Sequence, residues 1–213
     1  MGYDTRLEEV VGVVALTGIT DESLMAAHVR GDRAAFHELV RRYGDRVLGY
    51  LFHMTGNRDQ AEDLFQETFR KVHEKAHTFR GSNFKSWLFT IATRAAIDHL
   101  RRRKRRSMVS LNQPLGCKDG NCDEIGSTAV DENCDDPSDE AIKAEQKQQV
   151  RLAIEELPAR QRATLVLAYY QQLSYSDVAR TMGCSIGTVK MQMSRALKTL
   201  ARRLPEFSGV GQA

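Results

Sequence analysis

The chain has 213 residues, enough for one or two ordinary domains. Hydrophobic residues make up 41% of the sequence, a share that supports packed cores and excludes a membrane protein. Its four prolines, none before Pro114, and the lack of alternating β-branched residues predict an all-α fold. The apolar stretch 10–16 is too short to span a bilayer and follows acidic residues, unlike a secretory signal, so we expect a cytoplasmic protein without membrane insertion.

The net charge of +3 conceals three segments of strong and opposite charge. Residues 78–107 carry nine lysines and arginines against one acid, residues 108–140 carry nine acids against one lysine, and residues 174–204 carry six basic residues against Asp177. Two basic surfaces separated by an acidic segment on a helical protein indicate a nucleic acid that is contacted at two places.

Four helices are predicted in the first half of the chain. Apolar residues recur at steps of three and four over residues 21–30, 34–54, 58–76 and 83–106, with Asp32 as the cap of the second helix. The apolar stripe of the third helix consists of Ala61, Leu64, Phe65, Thr68 and Val72. In the fourth helix Phe84 and Trp87 are predicted to face inward, and Lys85, Arg94 and residues 101–106 outward. Four such helices can form one bundle.

Helical periodicity stops at Ser107, and a flexible acidic linker is predicted over residues 108–137, where glycine, asparagine and proline interrupt any helix. The linker contains Cys117, Cys122 and Cys134, whose spacing matches no paired-cysteine metal motif. Reduced thiols are therefore expected. A thiol or metal sensor built on these three cysteines is an alternative function.

Helical pattern returns over residues 138–157, 161–172, 174–182 and 186–204. The last two helices have the spacing of a helix-turn-helix: the small Ala179 where the helices cross, Gly183 at the turn, and Val189 in the core between them. The second helix of the motif is then expected to present one face to a DNA major groove. The residues of that face are Thr188, Lys190, Met191, Ser194, Arg195 and Lys198.

Two motifs in the first half resemble the extracytoplasmic-function (ECF) sigma factors, a compact group within the sigma-70 family. The run DQAEDLFQETF at 59–69 resembles the region-two helix that grips the polymerase β′ clamp, which implies that this protein binds polymerase through Asp63, Gln66, Glu67 and Arg70. The run FRGSNFKSWLF at 79–89 resembles the segment that melts and reads the -10 element. The DNA contacts this implies are Phe79, Arg80, Asn83, Lys85, Arg94 and Arg101.

The second half resembles region four of the same family, which reads the -35 element. The resemblance rests on ELPARQR at 156–162, LSYSDVA at 173–179 and GTVK at 187–190. The expected division is an N-terminal extension at 1–20, region two at 21–107, the acidic linker at 108–137, region four at 138–205 and a tail at 206–213. The resemblance implies bacterial core RNA polymerase, promoter DNA and an anti-sigma factor as partners.

No enzymatic chemistry is predicted, because the six histidines are scattered and neither H-E-x-x-H nor G-x-S-x-G occurs. We accordingly expect no catalytic residue, no metal site and no cofactor. Besides the thiol or metal sensor, one alternative to a sigma factor is an ordinary helix-turn-helix regulator, which binds duplex DNA by itself and has no need of the face around Asp63 and Glu67.

Overall fold

The computed structural model describes residues 18–80, 83–109 and 137–204, with side chains up to residue 106 in the second range and from residue 145 in the third. Within these ranges every regular element is a helix, and the all-α prediction is confirmed. The helices are α1 (Asp21–Val29), α2 (Arg33–Thr55), α3 (Arg58–Glu74), a 3-10 turn (Ala76–Thr78), α4 (Phe84–Val109), α5 (Pro137–Glu155), α6 (Ala159–Tyr169), α7 (Tyr175–Met182) and α8 (Ile186–Arg203).

Short polar side chains begin most of these helices. Asp32 accepts hydrogen bonds from the backbone N–H groups of Ala34 and Ala35, as predicted for the cap of α2. Asn57 caps α3 and Ser174 caps α7 in the same way. Each cap satisfies a backbone donor that has no partner inside its own helix, so the sequence marks these helix starts locally.

Helices α1 to α4 form the first unit, a bundle around an apolar core. Leu39, Val47 and Leu51 of α2 are fully buried, and the hydroxyls of Tyr50 and Thr93 are 2.8 Å apart inside the core. The predicted stripe of α3 omitted Phe69, which is 94% buried in the structure, whereas Phe65 is only half-buried. The bundle predicted from sequence is therefore present, with one more aromatic residue in its core.

Helices α5 to α8 form the second unit, in which α6 and α7 both pack against α8. Val166, Val178 and Val189 are fully buried at its centre. Helix α6 ends at Tyr169, three residues before the predicted end, because the chain turns there and Gln172 has a φ of +52°. Helix α4 continues two residues past Ser107 to Val109.

The two units pack directly against each other. Helix α2 contacts α5 and α6, and α4 contacts α6 and α7. The buried side chains of both units belong to one continuous apolar cluster. The acidic linker lies outside the described residues apart from its two ends. No helix in the described ranges is both long and apolar enough to cross a membrane.

Candidate nucleic-acid and polymerase interfaces

The turn between α7 and α8 has the geometry of a helix-turn-helix. Gly183 adopts left-handed backbone with a φ of +62°, and its N–H reaches the carbonyls of Ala179 and Arg180. A Cβ at Gly183 would meet no atom within 4 Å, so the requirement for glycine comes from backbone conformation and not from space. Ala179 is 6% exposed and Val189 is fully buried. The three positions predicted from the motif have the environments it requires.

Helix α8 presents the predicted face to the exterior of the molecule. Its side chains Lys190, Ser194, Arg195 and Lys198 are exposed, and Met191 is 46% exposed. Thr188 is partly buried, with its hydroxyl 2.9 Å from that of the cap residue Ser185. An exposed, basic and polar face on the second helix of this motif is suited to a DNA major groove.

Helix α4 carries a basic ridge, defined here as Arg94, Arg101, Arg102, Lys104 and Arg105, all exposed. Two of its arginines, Arg94 and Arg101, also line a cleft of about 180 Å³ between the units, with Arg160 of the second unit on the opposite side. Guanidinium groups placed in this way bind phosphate oxygens.

The four residues predicted to bind polymerase lie together on the outer face of α3. Asp63, Gln66 and Arg70 are exposed, and Arg70 forms an ion pair of 2.5 Å with Glu74. The carboxylate of Glu67 is 34% exposed and accepts a hydrogen bond of 2.5 Å from Lys71, which lowers the pKa of Glu67. The outer face of α3 is thus polar and keeps Glu67 ionised.

The aromatic side chains near the start of α4 form a cluster. The ring of Phe79 lies 5.3 Å from that of Trp87 and 5.9 Å from that of Phe84, measured between ring centroids. Phe84 is buried, whereas Phe79 and Trp87 are both partly exposed, and Arg80 is exposed beside them. Packing covers part of the Phe79 ring, and its role as a base contact stays a prediction.

The first turn of α4 differs from the prediction that Lys85 faces outward. Asn83 caps this helix through its Oδ1, but its Nδ2 donates to Asp177 of the second unit across 3.4 Å. Lys85 is half-buried, and its ammonium donates to the carbonyl of Gln171 across 2.6 Å. Burial and the nearby Arg46 lower the pKa of Lys85. The outward placement of Lys85 is wrong because the second unit covers the start of α4.

Sequence reasoning missed the second unit's side of this contact. Asp177 had no assigned role, although it is the lone acid in the basic segment 174–204, a signal that the sequence contains. In the part of the chain with described side chains, no group of three or more histidines, cysteines and acids could bind a metal ion. Cys184 is partly buried, and the three linker cysteines lie outside the described residues.

Fold and surface together define a two-unit helical protein with a helix-turn-helix and an exposed basic face. Residues 39–106 match the family model for sigma-70 region 2, and residues 147–200 match that for sigma-70 region 4. The chain is 33% identical over 190 residues to the RNA polymerase sigma-H factor of Pseudomonas aeruginosa, covering 89% of this chain and 96% of that protein. It is 31% identical to the ECF RNA polymerase sigma-E factor of Haemophilus influenzae, covering 87% and 96%.

Solved structures show the same relationship. The sigma factor RpoE from Bartonella quintana, crystallised with the anti-sigma factor NepR, superposes with a TM-score of 0.60 at 28% identity, covering 80% of this chain and 96% of that one. CnrH in complex with the cytosolic domain of CnrY has the same fold, with a TM-score of 0.61 at 20% identity over 88% and 99%. The chain belongs to the ECF group of the sigma-70 family. It is a transcription initiation factor that directs RNA polymerase to promoters, and neither the independent regulator nor the thiol sensor is favoured.

Proposed function

We propose that three separate surfaces divide the work of this sigma factor: the outer face of α3 binds core polymerase, the start of α4 with its basic ridge binds the -10 element, and the exposed face of α8 reads the -35 element. The observation that carries the proposal is the helix-turn-helix of α7 and α8, whose outward face is basic while its inward face is fully packed. The corresponding domains are region two at 21–107 and region four at 138–205.

The outer face of α3 suits a polymerase contact because it is polar and mixed in charge. Asp63 and Gln66 are exposed, and Glu67 is ordered by Lys71. Ordered charges at an accessible surface steer association and set its specificity. Glu67 contributes its carboxylate without first having to be fixed in position.

The basic ridge of α4 suits a melted promoter because phosphate contacts and stacked bases both stabilise separated strands. Exposed arginines bind phosphates, and aromatic rings stack on bases at about 1–3 kcal/mol each. Phe79 and Trp87 lie next to Arg80 at the start of the helix, and the basic ridge follows further along the same helix. The -10 strand is proposed to run from the aromatic cluster along the basic ridge.

The partners and location follow the relatives. The sigma factor RpoE was solved with the anti-sigma factor NepR, and an anti-sigma factor is the corresponding proposed partner of this chain. Because core RNA polymerase is the proposed partner, we place this protein in the cytoplasm.

The test is reconstitution with bacterial core polymerase on a library of genomic fragments, followed by mapping of transcript 5′ ends. The expected result is initiation at a defined set of sites that share two elements. Charge reversal at Glu67 (Glu67→Lys) is expected to reduce holoenzyme formation, while reversal at Glu62, five residues earlier in the same helix and paired with Arg58, serves as the matched control. Duplex binding by the chain alone, with no initiation, contradicts the proposal and supports the independent regulator.

A further inference from the structure

A buried polar pair joins α8 to α6 inside the second unit. The hydroxyl of Thr164, a fully buried residue of α6, lies 2.6 Å from the side-chain carbonyl oxygen of Gln192 on α8. The same hydroxyl lies 2.9 Å from the backbone carbonyl of Arg160, one turn earlier in α6. Gln192 is itself only 9% exposed. The pair is therefore enclosed in the packed interior between the two helices.

Gln192 differs in chemistry from the other buried residues of its helix. The structure describes every residue of α8, and the buried ones are Val189, Gln192, Met193 and Ala196. The other three are apolar, and apolar burial stabilises the packing of a helix without favouring a direction. A hydrogen bond, in contrast, weakens steeply when its angle or length departs from the preferred values. The bond between Thr164 and Gln192 thus adds a directional restraint on rotation and sliding of α8 against α6.

The restrained position lies beside the face of α8 that is proposed to read the -35 element. Residues three and four positions apart are neighbours on a helix surface. Gln192 therefore neighbours Arg195 on one side and Thr188 on the other, and both belong to that face. A side chain that recognises a ligand must be held within about 0.5 Å and 10–20° of its productive geometry by the residues behind it. A change in the setting of α8 at Gln192 consequently moves the guanidinium of Arg195 relative to the base edges.

We propose that Gln192 and Thr164 are positioning residues for promoter recognition: their hydrogen bond fixes the rotation of α8 on α6 and so determines which base edges Arg195 reaches. This inference rests on the proposed reading of the -35 element by α8, whereas the bond itself is a feature of the structure. Both side chains are buried, so they act on sequence preference through the exposed residues of α8 and not by touching bases.

A positioning role and a merely structural role give different results when both partners are replaced. Thr164→Val and Gln192→Met each remove one partner with little change of size, and each leaves the other partner buried without its bond, which destabilises the fold. The double variant replaces both polar groups with apolar ones, and such a replacement is nearly neutral for stability. It does not restore a directional bond. The double variant is therefore expected to regain stability and still to misplace α8.

The experiment uses the full chain assembled with bacterial core polymerase and selects promoters from a library randomised in both elements. The double variant is expected to lose about two- to tenfold of its discrimination in the -35 element, the factor that corresponds to one ordinary hydrogen bond. Its preferences in the -10 element are expected to stay unchanged. Thr164→Ser retains the hydroxyl and is expected to keep the preferences of the wild type in both elements.

The matched control for stability lies in the first unit. Thr93→Val removes a buried hydroxyl that lies 2.8 Å from that of Tyr50, far along the chain from α8. This variant is expected to lower the free energy of unfolding, as the two single variants of the second unit do, and to leave the -35 preferences unchanged. Urea unfolding followed by circular dichroism measures the stability of every variant.

Unchanged -35 preferences in the double variant overturn the inference, whatever the stability of that variant. An equal loss of preference in Thr93→Val and in the double variant also overturns it, because a general loss of stability then explains both. Arg195→Ala separates this inference from the proposed function. If Arg195→Ala relaxes the -35 preference and the double variant does not, the positioning role is overturned while base reading by α8 stands. If the wild-type chain selects no -35 element, both are overturned.

Discussion

The two units treat their buried polar groups differently. In the first unit the fully buried carboxylate of Glu38 is bonded by Arg41 and Arg42, two residues of its own helix, at 2.7–2.8 Å. In the second unit the buried Arg162 donates to a carbonyl of the first unit. The buried amide of Gln171 also donates to the first unit, to the carbonyl of Arg46 across 3.2 Å.

This difference indicates which unit depends on the other. A buried polar group that loses its partner costs about 1–3 kcal/mol. The first unit keeps its Glu38 contacts when the units separate, whereas Arg162 and Gln171 then lose theirs or turn to water. For these groups the first unit is the self-sufficient half, and separation is expected to rearrange mainly the surroundings of Arg162 and Gln171 in the second unit.

The largest expected effect is on the self-sufficient half. Glu38→Ala removes the acceptor of two arginines and is expected to lower the free energy of unfolding by about 3 kcal/mol, because both guanidinium groups lose a charge-assisted bond. Urea unfolding followed by circular dichroism measures this. The control is Glu62→Ala, an exposed acid paired with Arg58 at 3.0 Å, for which the change is expected to stay under about 1 kcal/mol. An equal loss of unfolding free energy in the two variants contradicts the prediction.

Glu38 also predicts how acid affects the first unit. Hydrogen bonds from Arg41 lower its pKa to about 2 from the ordinary value of 4.5. A carboxyl with a depressed folded pKa stabilises the fold fully above its unfolded pKa and loses that contribution as pH falls. The wild-type chain is therefore expected to lose stability between about pH 4.5 and 2 more steeply than Glu38→Ala does. If the free energy of unfolding falls with pH equally steeply in the two proteins, this prediction is wrong.

The next largest effect on the free energy of unfolding is expected in the second unit. Arg162→Ala leaves the carbonyl of Met54 without this donor and is expected to cost about 2 kcal/mol. Amide hydrogen exchange is expected to rise at the end of α2 as well as in α6, because one residue serves both units. Arg160→Ala, an exposed arginine two positions earlier, is the control and is expected to change stability by under about 0.5 kcal/mol. Faster exchange in α6 alone would show that Arg162 serves only its own unit.

The fold was largely predictable from local sequence. Apolar spacing located the helices to within a few residues, Asp32 marked the start of α2, and Gly183 marked the turn of the helix-turn-helix. These features depend on neighbours three or four residues away, and such short-range rules are visible in one sequence.

The contact between the units was not predictable in this way. Lys85 bonds Gln171, 86 residues further along the chain, and Arg162 bonds Met54, 108 residues back. Periodicity shows which face of a helix is buried, but not which surface covers it. Lys85 and Lys190 therefore look alike in the sequence, although one ammonium lies between the units and the other side chain is exposed.

A smaller effect is expected where α8 of the second unit reads DNA. Arg195 and Lys190 are both exposed on α8, five positions apart, and we expect Arg195 to read a base and Lys190 to bind phosphate. Arg195→Ala is then expected to lose about 1–3 kcal/mol of discrimination at one position of the -35 element. Lys190→Ala is expected to weaken binding to DNA of every sequence alike and to flatten the salt dependence of that binding.

Selection of promoters from a randomised library by holoenzyme measures both variants together. Unchanged base preferences for Arg195→Ala refute its assignment as the base-reading residue. A preference that shifts in Lys190→Ala refutes the phosphate role in the same way.

The smallest effect is expected from His53, at the boundary between the units. Burial and the charge of Arg151 lower its pKa, and its Nδ1 has no hydrogen-bond partner among the described residues. The groups around it are Tyr170, whose pKa burial raises, and Arg151 itself, which lies 3.7 Å from Glu155. While the two units pack together, His53 therefore resists protonation. When the units separate, His53 regains an ordinary histidine pKa of about 6.5.

The sign of the pH effect follows from that difference. Below about pH 6.5 the chain with separated units binds a proton at His53 that the chain with packed units does not. The contact between the units is therefore expected to weaken as pH falls from about 7.5 to 5.5. The radius of gyration of the full chain, measured by small-angle X-ray scattering, is expected to rise over this interval and to rise less in His53→Gln. His28→Gln is the control, because burial and His73 also lower the pKa of His28, but within the first unit. If His53→Gln and the wild type expand equally, His53 does not couple pH to the contact between the units.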